Sequence, residues 1–322
     1  MRIAIVGYGN QGKSHAQNIR DSGGSVAVGG RSGSRALSEA RSDGFETFAD
    51  PQCVANAELV VFALPDAAHR ASCPPYFAAM ADGSVAGFLH GFSVHFGCVE
   101  IPPSLGAVLV APKGPGTALR SRFLEGFGIP CLMAVGQGGP DAARTRSVAL
   151  AWANFIGCGR AGIVETTFKE EAETDLFGEQ AVLCGGILAL VRAAYETLVA
   201  AGYPPLLAYT ECCHEVKQIA DLVCDRGIAG MTQAISPTAK FGAMVAAERL
   251  DDAHLRSTMR ELLENIQNGS FAKALAHDAA SGSPKMAAFD RALAAHPLEA
   301  EGQRVRAMLP WLRTASGQPP RP

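Results

Sequence analysis

The chain has 322 residues, 48% of them apolar and 18% charged, with a formal net charge of −3. At roughly 100–200 residues per domain, this length predicts two domains, and the composition excludes global disorder. The near-neutral charge excludes the basic footprint of a nucleic-acid binder and points to a small-molecule partner. Met1-Arg2 leads directly into Ile3-Ala4-Ile5-Val6, a run closed by Gly7. It is too short for a secretory segment and predicts a buried strand. No apolar stretch is expected to reach the about 18 residues of a membrane span. The chain is therefore expected to be cytoplasmic, with no membrane partner. Its cysteines, nine in number, form no CxxC pair and sit mostly in apolar contexts. They are expected to be reduced, buried thiols.

In chain order, short apolar runs bounded by Gly, Pro or Asp predict strands at 2–6, 25–29, 59–63, 84–88, 107–111 and 131–135. Helical stretches such as 11–22 and 33–42 lie between them. Continuous apolar runs, rather than alternation, predict a parallel sheet covered on both faces. The βαβ rhythm predicts an α/β, Rossmann-type doubly wound domain over residues 1–165. Helical patterns at 180–201, 206–225, 238–247, 254–268 and 283–294 then predict an all-α domain over 166–313. The Ser-, Gly-, Gln- and Pro-rich tail at 314–322 is expected to be disordered.

Gly7-Tyr8-Gly9-Asn10-Gln11-Gly12 is a GxGxxG that follows a predicted strand and opens a predicted helix. The first glycine makes the tight turn and the second lets backbone approach a pyrophosphate. The third allows close helix packing, and the helix N-terminus offers free N–H groups to phosphate. An NAD site usually carries an acid at the end of the second strand. Here that segment reads Gly30-Arg31-Ser32-Gly33-Ser34-Arg35. Arginine and hydroxyls suit a 2′-phosphate, which favours NADPH over NADH, with Arg31 the stronger candidate of the two arginines.

Asp175 and Glu179 are four apart, as are Glu211 and Glu215, so each pair shares a helix face. Leu206, Leu207, Val216, Ile219 and Ala220 flank the second pair and predict a largely buried helix. Like charges at this spacing destabilise a helix, and burial worsens the conflict. A divalent cation resolves it, and all-oxygen ligation favours Mg²⁺ or Mn²⁺ over zinc. Glu170, Glu171 and Glu173 are candidates for extra ligands, but are expected to be solvated or capping charges near a helix start. Lys113 follows an apolar strand between Pro112 and Gly114-Pro115, and His90 ends another strand. Both stand where open α/β sheets place ligands, with Pro115 and Gly116 on the nucleotide side. His95 and His214 are expected to be structural.

These motifs, GYGNQG at Gly7, HGF at His90, APKGPG at Ala111, ETTFKEEAETDLFGEQAVLCGG at 165–186 and AYTECCHE at Ala208, span nearly the whole chain. In them the chain resembles the ketol-acid reductoisomerases, in the short form with a single helical domain. The resemblance implies a knotted helical domain and a homodimer or higher assembly with shared active sites. It implies two Mg²⁺ ions, with Asp175 bridging both and Glu179 on one. Glu211 and Glu215 would complete the site from the second subunit. Ser236 would bind the substrate carboxylate, and Lys113 and His90 would lie near the reacting centre or nicotinamide. The implied reaction is the isomeroreduction of 2-acetolactate to 2,3-dihydroxyisovalerate in branched-chain amino-acid biosynthesis. In that chemistry the metals polarise hydroxyl and ketone, removal of the hydroxyl proton drives a 1,2-alkyl shift, and NADPH reduces the product. Either Glu215 or a metal-bound hydroxide serves as the base. Retention of the four carboxylates and Lys113 argues against a catalytically silent nucleotide-binding protein. The chain departs from the family's pattern at Lys13-Ser14, Thr210, Pro237 and Lys240. Pro237 removes a backbone N–H and restricts Ser236. Thr210, Pro237 and Lys240 surround the substrate rather than the metals. They keep open a second reading, a diverged paralogue acting on another 2-keto acid.

Overall fold

The computed structural model describes residues 1–136 and 139–309. The tail expected at 314–322, and the end of the helical domain expected at 313, lie outside them. The chain divides into two compact units, Met1–Asp175 and the segment from Leu176 onward.

The first unit is built on one eight-stranded sheet. Its strands are β1 (Arg2–Val6), β2 (Ser25–Gly29), β3 (Glu46–Phe48), β4 (Leu59–Phe62), β5 (Val85–Phe88), β6 (Gly106–Pro112), β7 (Cys131–Val135) and β8 (Ile163–Glu165). They lie in the order β3-β2-β1-β4-β5-β6-β7-β8. Every pairing is parallel except β6 with β7, which is antiparallel. The connecting helices are α1 (Asn10–Asp21), α2 (Arg35–Ser42), α3 (Asp66–Ala79), α4 (Phe92–His95), α5 (Gly116–Leu124) and α6 (Ala142–Phe155).

The central strands bury both faces, as continuous apolar runs require. Ile3, Ile5, Leu59 and Val61 pack into a cluster on one face, closed by Trp152 of α6. Ala4, Val6, Val60 and Phe62 alternate onto the other, where Phe77 meets Phe62 edge-on at 5.3 Å between ring centroids. Each such buried side chain contributes roughly 1.5–3 kcal/mol. The six strands expected from the sequence are present, within a residue or so at their ends. The two additional ones, β3 and β8, are the sheet edges. Edge strands are covered less completely, so Glu46-Thr47-Phe48 and Ile163-Val164-Glu165 show no continuous apolar run. The order reverses between β1, flanked by β2, and β4, which leads on to β5 and β6. Such a reversal opens a crevice at the carboxyl ends of the strands.

Helices α7 (Phe168–Gly178), α8 (Gly185–Ala200), α9 (Pro205–Tyr209), α10 (Val216–Ala234), α11 (Pro237–Leu250), α12 (Ala253–Gln267), α13 (Ser270–Ala280), α14 (Pro284–Ala294) and α15 (Pro297–Met308) follow. The core of the second unit is small: Tyr195, Ala208, Tyr209 and Val305 form its buried cluster. Helices α10, α11 and α14 bury no residue in the single chain. Leu207 and Ile219 are exposed, so the expectation of a largely buried 206–225 helix is not met within one chain. Among the described residues, no element covers that face.

Two further expectations are corrected. Phe168–Ala200 is a continuous helical run with an 18-residue window of mean hydropathy 1.6, long and apolar enough to cross a membrane. Gly185-Gly186 lie within the run without breaking the helix. The same length and composition also suit a helix covered by protein. Of the nine cysteines, all free, Cys73, Cys131 and Cys158 are buried. Cys53, Cys184 and Cys224 are exposed, against the expectation of buried thiols: Cys53 lies in the short helical turn at 51–54 of the first unit, and the other two lie in the second unit, whose buried cluster is small.

Candidate active site

At the carboxyl end of β1 the chain turns through Gly7 at φ +105°. A Cβ there would lie 2.4 Å from the carbonyl oxygen of Ala63, so only glycine fits. Gly12 is held as tightly: its Cβ would lie 2.2 Å from the Gly7 oxygen. Gly9, by contrast, has no neighbour within 4 Å of an added Cβ, which leaves the loop open where a pyrophosphate approaches. Three residues expected to bind the nucleotide are engaged elsewhere through their side chains. The Tyr8 hydroxyl donates to Asp43 Oδ2 at 2.8 Å. The Asn10 Oδ1 accepts from the Thr117 N–H at 3.0 Å, and Gln11 Nε2 donates to the Gly114 carbonyl at 3.0 Å. The last two bonds fasten the glycine loop to the Pro115-Gly116 entry of α5. Pro115 and Gly116 thus stand beside the glycine loop.

At the carboxyl end of β2, Arg31 and Ser32 are exposed, and the Arg31 guanidinium has no ion-pair partner among the described residues. Ser34 caps α2, its Oγ accepting from the Leu37 N–H at 3.3 Å. Its hydroxyl proton stays free to donate to phosphate.

The carboxyl ends of β4, β5 and β6 converge with α7. Lys113 Nζ, one residue past β6, donates to Glu171 Oε1 and to Asp175 Oδ1, both at 2.8 Å. Glu171 is 1% exposed, and its Oε2 accepts from the Gly91 N–H at 2.7 Å. Burial opposes the charge on Lys113, but the Glu171 and Asp175 carboxylates outweigh it and raise the ammonium pKa. His90, two residues past β5, places Nε2 3.7 Å from Asp175 Oδ2, while its Nδ1 is 2.9 Å from Asp66 Oδ2. Burial would discharge this imidazole too, but the Asp66 hydrogen bond and the surrounding carboxylates raise its pKa. One ligand atom each from His90, Glu171 and Asp175 lie within 4.8 Å of one another. Glu171, buried, and Asp175, half-buried, present hard oxygen donors on one side of Lys113 and His90, a set that fits a divalent cation.

The other carboxylates stand outside that group. Two π-helical turns carry them: Glu179–Leu183, closed by Cys184 N–H to the Glu179 carbonyl at 2.9 Å, and Thr210–His214, closed by Glu215 N–H to the Thr210 carbonyl at 3.3 Å. The simple α-helices expected across 180–201 and 206–225 are therefore each locally unwound. Turns of this kind gather at functional sites. Glu211 and Glu215 are exposed in the single chain. Ser236 caps α11, its Oγ accepting from the Ala239 N–H at 3.1 Å, with Pro237 as the first helical residue. Pro237 restricts Ser236 as expected, without cost to the helix. Its missing N–H is one that no helix start can use internally, and Ser236 already has the extended backbone that precedes a proline.

Residues 1–162 match the acetohydroxy acid isomeroreductase NADPH-binding domain, and residues 168–311 match the ketol-acid reductoisomerase C-terminal domain. The chain belongs to the ketol-acid reductoisomerase family. A solved NADH-preferring ketol-acid reductoisomerase from an uncultured archean is 36% identical, with a TM-score of 0.92 over 96% of this chain and 94% of that one. More distant structures share the fold alone. A semialdehyde dehydrogenase NAD-binding protein from Cupriavidus necator has a TM-score of 0.63 at 18% identity, covering 83% of this chain and 98% of that one. A 1-pyrroline-5-carboxylate reductase from Streptococcus pyogenes has a TM-score of 0.55 at 13% identity, covering 83% and 98%.

In this reductoisomerase, reading the sequence alone missed Glu171, Asp66 and Ser93. Glu171 and Glu173, expected to be solvated, are buried; Glu170 does cap, its carboxylate accepting from Thr167 N–H at 3.1 Å. The signal for Glu171 was present, since Glu171, Asp175 and Glu179 form one ladder at four-residue steps. Glu173 lies 3.2 Å from His95 Nε2, so the structural reading of His95 stands with a named partner.

Proposed function

We propose that this reductoisomerase, in the cytoplasm, catalyses the NADPH- and Mg²⁺-dependent isomeroreduction of acetohydroxy acids. The substrate is 2-acetolactate, the product 2,3-dihydroxyisovalerate, and the role branched-chain amino-acid biosynthesis. The observation that carries this reading is the Lys113–Glu171–Asp175–His90 cluster at the carboxyl ends of β5 and β6. Asp175 and Glu179 of one subunit, with Glu211 and Glu215 of a second, would hold two Mg²⁺ ions. Those ions supply the Lewis acidity that acidifies the hydroxyl and polarises the ketone. The exposed apolar helices of the second unit support the shared site, because an uncovered face of this size marks an interaction surface.

The chain's own residues do the remaining work. Glu171, fixed by the Gly91 N–H, anchors Lys113 so that its ammonium faces Asp175. A charge held there stabilises negative charge on a substrate oxygen without reorganising. Glu215 is the candidate base for the hydroxyl proton. Ser236 keeps its hydroxyl proton for the substrate carboxylate while accepting from its own helix. Gly7 through Gly12 and Arg31 hold the nucleotide.

A second reading, a paralogue acting on another 2-keto acid, draws support from Thr210. Its hydroxyl is committed to the Leu206 carbonyl at 2.9 Å, leaving a small side chain where the family usually places an aromatic ring. Purified protein given 2-acetolactate, NADPH and Mg²⁺ should consume NADPH. No turnover, together with reduction of a simple 2-keto acid such as hydroxypyruvate, would sink the first reading and establish the second.

A further inference from the structure

Behind His90 runs a line of side chains that the reaction above does not use. Asp66 opens α3, just past β4, and Ser93 lies in α4 with no exposed surface. Asp66 Oδ2 is 2.9 Å from His90 Nδ1, and Asp66 Oδ1 accepts from Ser93 Oγ at 3.2 Å. Ser93 Oγ is in turn 2.7 Å from Nδ1 of His69, which is buried. A carboxylate only accepts. Hydrogen-bond logic then fixes every proton in the line. His90 must carry a proton on Nδ1, its only proton when the ring is neutral. Ser93 has one proton and gives it to Asp66, so His69 must also carry its proton on Nδ1.

We propose that Asp66 is a positioning residue for the reaction, with Ser93 and His69 as its buried brace. By holding the Nδ1 proton of His90, Asp66 reserves Nε2, the atom 3.7 Å from Asp175, for the reaction chamber. The imidazole cannot turn its other nitrogen inward without breaking the 2.9 Å bond. The ring plane is also fixed, since Phe92 stacks on it at 5.9 Å and 27°. The brace holds Asp66 in one rotamer: Ser93 engages the carboxylate oxygen that His90 does not.

The line makes a distinctive statement about Asp66→Asn. An amide has one accepting and one donating end. If its oxygen faces His90, its NH₂ faces Ser93, which must then donate to His69 and move the His69 proton to Nε2. If its NH₂ faces His90, the His90 proton moves to Nε2 instead. In either orientation one histidine of the pair changes tautomer and the other does not.

The test is two-bond ¹H–¹⁵N correlation on the full-length protein labelled with ¹⁵N-histidine. Resonances are assigned from His90→Gln and His69→Gln. Recorded at alkaline pH, where both rings are neutral, the unsubstituted chain should show the Nδ1–H pattern at both; an Nε2–H pattern at His90 overturns the proposal without any variant. In Asp66→Asn one of the two should switch. Retention of both original tautomers overturns the proposal. Turnover of 2-acetolactate should fall in kcat on the order of 10–100-fold, the usual cost of losing a residue that orients an active-site group, with KM little changed. A tautomer switch with full kcat would overturn the link to the reaction. Should Asp66→Asn lose its melting transition, Ser93→Ala serves: the His69 resonance alone should move, and a change at His90 instead contradicts the assigned order. The kinetic arm rests on the proposed reaction; the spectroscopic arm does not, so failure of one is distinguishable from failure of the other.

Discussion

The two units of this chain are built by opposite economies. In the first, the sheet buries both faces, and side chains such as Trp152, Phe62 and Ile5 have essentially no exposed surface. In the second, long helices leave Ile228 at 72% and Phe241 at 66% exposure. The difference teaches that a helix longer than its local core can be specified by a chain that does not itself cover it. It also separates the two halves of the chemistry. The cluster around Asp175 is assembled within the first unit by strand ends, whereas Glu211 and Glu215 stand on a π turn with exposed side chains.

Five experiments would break or sharpen this contrast. The largest effect is expected at the first unit's cluster. Asp175→Asn should lower NADPH turnover with 2-acetolactate and Mg²⁺ by about 10³-fold or more, as loss of a group organising transition-state charge does. Near-normal turnover would place the chemistry elsewhere. Next comes the core. Trp152→Ala should cost about 3–5 kcal/mol in denaturant unfolding, and it also strips His15 Nδ1 of the indole N–H at 3.1 Å. In a lone chain, Ile228→Ala and Phe241→Ala should change stability by no more than about 0.5 kcal/mol. If a second subunit covers that face, both should cost more, and the melting temperature of the unsubstituted protein should rise with its concentration. A concentration-independent transition would contradict the shared site.

Smaller effects are expected at the nucleotide and in the core's one fully buried imidazole. Arg31→Ala should weaken NADPH by about 10–100-fold, the worth of a charge-assisted hydrogen bond, and leave NADH nearly unchanged. Equal loss for both would assign the loop to NADH, the cofactor that the archaeal relative prefers. His15 is depressed to about 3 by burial. Its folded state therefore resists protonation that the unfolded chain accepts at its ordinary value of 6.5. Stability is complete above that value and is lost as pH falls from there toward 3, by at most about 1.4 kcal/mol per pH unit. His15→Asn, which keeps an acceptor for Trp152 but cannot titrate, should flatten the acid limb of an unfolding-versus-pH series.

Much of the first unit was legible because its signals are local. A two-face strand is a continuous apolar run, and a phosphate loop is three glycines at fixed spacing after such a run. The edges β3 and β8 escaped because incomplete coverage removes that signature. In the site, Asp175, Lys113 and His90 were visible from strand ends and four-residue spacing. Glu171 was misjudged because its neighbours Glu170 and Glu173 made it look like one more charge of a solvated helix start. Three acids within four residues met three fates: Glu170 caps, Glu171 binds Lys113, and Glu173 meets His95.

By itself, then, the sequence determined the α/β order, the nucleotide loop and the presence of paired carboxylates, since each follows from residue type and spacing along one segment. Only the tertiary structure decided which carboxylate meets Lys113, that the two carboxylate helices unwind into π turns, and that Pro237 sits harmlessly at a helix start. It also decided that Asp66 holds His90. The contacts of Lys113 and His90 depend on segments 24 to 80 residues apart meeting at the ends of strands, where distance, burial and the direction of each hydrogen bond, rather than spacing along the chain, set what a side chain does; the π turns and the Pro237 helix start depend on backbone conformation that residue type leaves open.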